Sequence, residues 1–189
     1  NNPMLFIDPN GAEIWLSMTY KDDDGNEQTV KVQYKENKLV GADGKEFKGN
    51  ATMDLVKNQI NAIKELVGKN EKIAELFSFL EGEESGEHTI NIDPTAKKNE
   101  TNGRSNTTIT YNPFDSEDTE NQQRPAIVGL LHEFQHSADR GRESMIYGLD
   151  QPTGAREVES RKTASVPIYE VRAVYTENIL RERLGLPQR

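Results

Sequence analysis

The sequence predicts an α+β fold, in which strands and helices come in blocks rather than in strict alternation. Three observations lead there. Residues 13–20, 28–34, 88–92 and 107–111 read as strands; in the second, Val30, Val32 and Tyr34 alternate with Lys31 and Gln33, the period of two of a half-buried strand. Residues 53–67 and 71–81 carry apolar side chains at helical spacing: Val56, Ile60, Ile63 and Val67, then Ile73, Leu76, Phe77 and Leu80. Two further helical patterns, near 124–138 and 168–185, follow the last strand.

The connections follow from turn chemistry. Asp22-Asp23-Asp24-Gly25-Asn26 is a hairpin turn between the first two strands. Three successive aspartates raise the thought of calcium, but the distal bidentate glutamate of an EF-hand loop is missing, so an exposed turn is the reading. Residues 38–47 add a short hairpin around Ala42-Asp43-Gly44, and Gly68 can end the first helix. The segment from Glu81 to Glu87 is a polar loop, and residues 95–106, also polar, read as a mobile connection. Asn112-Pro113 stops the strand at 107–111, and residues 115–123 form an acidic loop. Residues 140–166 have few apolar anchors and read as irregular. The last helix takes its apolar face from Val171, Val174, Ile179, Leu180 and Leu184, and Gly185 and Pro187 close it. No internal repeat is evident.

Composition narrows the function classes. A chain of 189 residues suits one domain with a core of its own. Its 23 basic and 32 acidic residues leave a net charge of −9 and no basic stripe, which argues against binding a phosphate backbone. No run of 18 apolar residues offers a membrane span, and no basic segment followed by an apolar one marks a signal peptide. Cysteine is absent, which excludes disulfides, thiolate zinc sites and cysteine nucleophiles. Any metal must be held by His, Asp or Glu.

Residues 130–136, Leu-Leu-His-Glu-Phe-Gln-His, are the most informative stretch. On a helix, His132 and His136 lie one turn apart on one face and can reach a single ion, with Glu133 beside it to take a proton from water. This is the H-E-x-x-H arrangement of zinc metallopeptidases. Ile127, Val128, Leu130, Leu131 and Phe134 supply an apolar back, and Pro125 sits where a first-turn proline is tolerated. The competing reading is an amphipathic helix with two solvated histidines. A catalytic zinc needs a third protein ligand, and no third histidine follows at metzincin spacing. His88, the remaining histidine, lies upstream on a strand; the carboxylates in contention are Asp139, Glu143, Glu157, Glu159, Glu170 and Glu177. Asp139 suits a supporting or helix-end role. Glu170 and Glu177 stand seven apart on the last helix, roughly on one face, and a packed helix is a firmer platform than a loop.

The final segment carries a resemblance. Glu170-Val171-Arg172-Ala173-Val174, then Thr176-Glu177-Asn178-Ile179-Leu180-Arg181, then Gly185-Leu186-Pro187-Gln188-Arg189 is similar to the end of the NleD-like effector zinc metallopeptidases. Members carry E-x-R-x-V, T-E-N-x-L-R and G-L-P-x-R segments after the H-E-x-x-H helix, and the match covers roughly residues 107–189. Here only Tyr175 separates the first two segments, where family members have a longer connection, so the choice between Glu170 and Glu177 stays open. At the other end, Asn2-Pro3 through Phe6-Ile7-Asp8-Pro9-Asn10-Gly11 resembles the stretch that closes the core of Rhs repeat proteins, just ahead of a variable toxin.

These resemblances imply a zincin-like metallopeptidase domain over 12–189, with an active-site helix, a small, mostly antiparallel sheet and a C-terminal helix. Residues 1–11 would be the remnant of an Rhs core. The implied activity is a Zn²⁺-dependent endopeptidase toxin, secreted or delivered into a target cell as part of a larger bacterial protein. Its partners would be a protein substrate, a cognate immunity protein and the parent Rhs core. His132, His136 and Glu170 would hold zinc, with Glu177 as alternative or supporting residue and Glu133 as base. Tyr147, Tyr175 and Arg181 are candidate oxyanion donors, and strand 107–111 or 88–92 could pair with an extended substrate. A zinc hydrolase of another bond and a silent, zinc-stabilised binding module are the alternatives.

Overall fold

A computed structural model describes residues 13–22, 24–48, 50–82, 86–116, 124–147 and 167–189. The Rhs-like stretch at 2–11 and most of the acidic loop lie outside these residues, as does the span 148–166, which includes Glu157 and Glu159. The elements run β1 (Glu13–Lys21), β2 (Glu27–Lys35), β3 (Lys38–Val40), α1 (Ala51–Val67), α2 (Glu71–Leu80), β4 (Glu87–Ile92), β5 (Glu100–Gly103), β6 (Thr107–Tyr111), α3 (Ala126–Tyr147) and α4 (Ile168–Arg183). The class is α+β, and none of the described helices is long and apolar enough to cross a membrane.

The strands form one sheet in the order β3-β2-β1-β4-β6-β5. The sheet is mixed: three of its five strand pairs are antiparallel, as expected of most, and two are parallel. β1–β2, β2–β3 and β5–β6 are antiparallel, but the central pairs β1–β4 and β4–β6 are parallel. Parallel neighbours need a long crossover, which α1 and α2 supply between β1 and β4. Register then stacks rows of side chains across the sheet: Ile14, His88 and Thr107; Leu16, Ile90 and Ile109; Met18, Ile92 and Tyr111. These rows, apart from the half-buried Met18, are buried on the helical side, where α3 packs against β5, β6 and the other three helices.

Local chemistry explains the boundaries. Asp22 accepts backbone N–H bonds from Asp24 and Asn26, and Gly25 has φ +82, so the carboxylate builds the turn. The next turn falls at Glu36 and Asn37, both at positive φ, which the sequence reading missed. Asn50 and Asn70 cap α1 and α2 by accepting from the N–H groups of Met53 and of Lys72 and Ile73. Gly68 caps α1 in ordinary right-handed conformation.

Two expectations change. Helix α3 continues to Tyr147, so residues 140–147 are helical where irregular chain was expected. Residues 100–103, expected to be mobile, form edge strand β5, joined to β6 by a turn that begins at Gly103 with φ +96. Strands 88–92 and 107–111 are therefore interior, and neither has a free edge for an extended substrate.

His88 is fully buried between sheet and α3, its Nδ1 2.8 Å from both Thr107 Oγ1 and Ser137 Oγ. Burial lowers its pKa to about 4, while the nearby Glu87 charge opposes the shift weakly. The native state thus keeps His88 neutral while the unfolded chain takes up its proton near the ordinary value. Its contribution is complete above about pH 6.5 and is lost as pH falls toward 4. Urea unfolding at pH 7 and pH 5 should show a drop of about 2 kcal/mol from this residue, a drop that His88→Gln lacks.

Candidate metal centre

Helix α3 owes its position to its own sequence. Val128, Leu130, Leu131, Phe134 and Ala138 are fully buried, and Phe134 meets the Phe77 ring edge-on at 5.6 Å. Held this way, the helix presents His132 and His136 toward α4, where Glu170 sits in the first turn. His132 Nε2 lies 3.0 Å from His136 Nε2 and 3.5 Å from Glu170 Oε1, and His136 Nε2 lies 3.3 Å from Glu170 Oε2. Ligand atoms of the three residues all fall within 4.8 Å of one another, and among the described residues no other such group of metal-ligating side chains occurs. His88 and Asp139 are not in it.

The donor set fits zinc. Ligands at about 2.0–2.1 Å in tetrahedral array stand about 3.3 Å apart, close to the separations here. Two imidazole nitrogens and one carboxylate oxygen match the ligand chemistry and leave a fourth position. Burial, followed by the charges of His132, Arg140 and Arg124, lowers the His136 pKa to about 4, so at neutral pH it offers a lone pair.

Glu177 occupies a different place from Glu170. It is completely buried behind His132, with Oε2 3.1 Å from His132 Nδ1. An N–H at Nδ1 donates to this carboxylate and leaves Nε2 as the free lone pair aimed at the cluster. Arg124 Nη2 donates to Oε2 at 3.1 Å and Arg181 Nε to Oε1 at 2.6 Å; Arg189 Nη1 lies 3.8 Å away. Burial alone would raise the Glu177 pKa, but the His132 hydrogen bond, Arg124 and Arg181 together bring it down to about 2.

The chain after α4 completes this arrangement. Gly185, at φ +67, lets the chain reverse, with Leu186 N–H bonding Arg181 O and Gly185 N–H bonding Glu182 O. Arg181 Nη1 donates to Pro187 O, and Asn178 pairs with the backbone of Arg189 through two bonds of 2.9 and 3.0 Å. The buried face of α4 is therefore Ala173, Thr176, Glu177, Leu180 and Arg181; of the apolar set expected, Leu180 is in the core, Ile179 and Leu184 pack half-buried against it, and Val171 is not part of that face. Val171 is 49 % exposed, because the side of the helix that meets α3 is given over to polar support. Thr176 donates to Gln135, whose Nε2 donates to Asp139.

Glu133 is buried against β5. Burial raises its pKa, and a 2.7 Å hydrogen bond from Thr101 Oγ1 to Oε2 opposes the rise. The candidate oxyanion donors are dispersed. Tyr175 is exposed beside Lys72, in a groove formed with Leu66 and Ile179, and Arg181 is bonded to Glu177 and Pro187. The side chains of Tyr147 and Glu143 lie outside the described residues. Three residues next to the cluster were missed. Thr101 could have been found from Asn102-Gly103 ahead of a strand, a hairpin signal. Tyr169, whose ring meets His136 edge-on at 5.7 Å, adjoins Glu170 in sequence. Arg124 had no signal, since its partner lies 53 residues away.

The family model Peptidase_M91, described as an effector protein, matches residues 7–189. No curated protein and no solved structure matches the chain.

Removing the Glu177 carboxylate leaves Arg124 and Arg181 facing an uncompensated hole. Glu177→Ala should lose about 3–5 kcal/mol of unfolding free energy, while exposed Glu182→Ala stays within about 0.5 kcal/mol of the parent. Urea denaturation of the metal-free proteins measures both.

Proposed function

Because the chain belongs to the Peptidase_M91 family of effector proteins, we propose that it is a zinc-dependent endopeptidase acting on proteins of a target cell. The convergence of His132, His136 and Glu170 beside the buried Glu133 carries this reading. When bound, zinc would lower the pKa of a water toward neutrality and polarise the carbonyl to be attacked. The protein's own groups do the rest. Glu177 keeps His132 in the tautomer that faces the cluster, and Glu170 adds the third donor. Glu133 takes a proton from the attacking water as its oxygen bonds to the carbonyl carbon, then hands that proton to the departing amine nitrogen as the C–N bond breaks. The burial that raises its proton affinity suits it to both steps. Edge strand β5, beside Glu133, is the place for an extended substrate to pair. Tyr169 replaces Tyr175 and Arg181 as the donor to examine at the developing oxyanion.

The zincin-like assignment rests on the motif helix packed beside an antiparallel edge strand. The Rhs-like stretch at 2–11 supports a toxin domain carried into the target cell on an Rhs parent and neutralised by an immunity protein.

Zinc-loaded protein incubated with a proteome-derived peptide library should yield new termini by mass spectrometry. Glu133→Gln should keep its zinc and lose at least about 100-fold in rate. Absence of new termini from wild type, or undiminished cleavage by Glu133→Gln, would falsify the peptidase reading. Glu177→Gln should weaken zinc binding about 10- to 100-fold in a competition titration, through loss of His132 orientation.

A further inference from the structure

We propose that Thr101 is a positioning residue for Glu133, and that the substrate-pairing strand itself thereby sets the base. The inference rests on the peptidase reading. Thr101 is on β5, 6 % exposed, its side chain turned toward α3. Its hydroxyl is 2.7 Å from Glu133 Oε2 and 3.1 Å from the Glu133 carbonyl oxygen. One hydroxyl carries one proton. The shorter contact, to the charged acceptor, is the stronger, so the proton goes to Oε2.

The consequence is geometric. A glutamate side chain on a helix has three rotatable bonds, and Glu133 must hold one carboxylate oxygen toward the His132–His136–Glu170 cluster. With Oε2 occupied by Thr101, Oε1 is the oxygen left to take the proton. No other hydrogen bond holds this carboxylate among the described residues. Helix and strand reach each other here because β5 pairs with β6 in a register that sets Thr101 opposite Ile109, a residue buried in the core. Arg140, one turn beyond His136 on α3, donates to Gly103 O and fixes the end of the same strand to the same helix. A substrate strand lying along β5 thus lies on the element that aligns the base.

The test compares wild type, Thr101→Val and Thr101→Ser, all zinc-loaded. Valine keeps the volume and loses the hydroxyl; serine keeps the hydroxyl. On a peptide that wild type cleaves, Thr101→Val should lose about 10- to 100-fold in kcat with KM within about twofold, and Thr101→Ser should stay within about threefold of wild type. Crystal structures of the three should show the Glu133 carboxylate bonded to residue 101 in wild type and Thr101→Ser and reoriented in Thr101→Val. Should Thr101→Val fail to fold by circular dichroism, Thr101→Ala takes its place with the same expectations. An unchanged kcat in the hydroxyl-free variant, or a Glu133 carboxylate that keeps its place there, overturns the proposal. If wild type cleaves no peptide, the peptidase reading fails on its own, and the crystal structures still decide whether Thr101 holds Glu133.

Discussion

The buried carboxylate of Glu177 is the constraint around which the site is organised. A charge with no exposure to water is tolerable only when it is paired and hydrogen-bonded. Glu177 meets that requirement with groups from three places: His132 on α3, Arg124 just before α3, and Arg181 on its own helix. Each is held by the need to satisfy the same two oxygens. The orientation of His132 is thus a by-product of neutralising a buried charge. The chain after Gly185 belongs to the same arrangement, since it caps Arg181 through the Pro187 carbonyl and brings Arg189 alongside.

This accounts for an oddity of α4. Its apolar residues are scattered around the helix, yet it packs closely on α3. Thr176, Glu177 and Arg181 make that interface together with Ala173 and Leu180, and Gln135 and Asp139 answer from α3. Such an interface is stabilised by specific bonds more than by area, so it tolerates little sliding. Little sliding is what a cluster of donors 3.0–3.5 Å apart needs.

The sheet serves the site from the other side. The parallel interior β1-β4-β6 buries its rows of side chains under the helices, and among the described residues β5 is the outer strand of the sheet that borders α3. Thr101 then touches the base from a strand that the sequence reading had treated as loose polar chain. Four residues with one buried side chain do not produce a visible alternation. Pairing with β6 makes them a strand, and pairing is not a local property.

The amino-acid order alone determined a good deal. The i, i+4 spacing of His132 and His136 on an apolar-backed segment places both rings on one face, because helix geometry is local. The amphipathic runs of α1 and α2, the strand at 28–34 and the family-like segments of the C-terminus were legible for the same reason. Tertiary structure decided what local rules leave open. Between Glu170 and Glu177, equivalent on a helical wheel, it brought the first to the imidazole Nε2 atoms and sent the second to the Nδ1 atom behind. It recruited Arg124 and Thr101 across 53 and 32 residues of chain. Which carboxylate faces the cluster depends on where α4 crosses α3, and that crossing is set by packing and charge burial between distant segments, which no spacing in the sequence records.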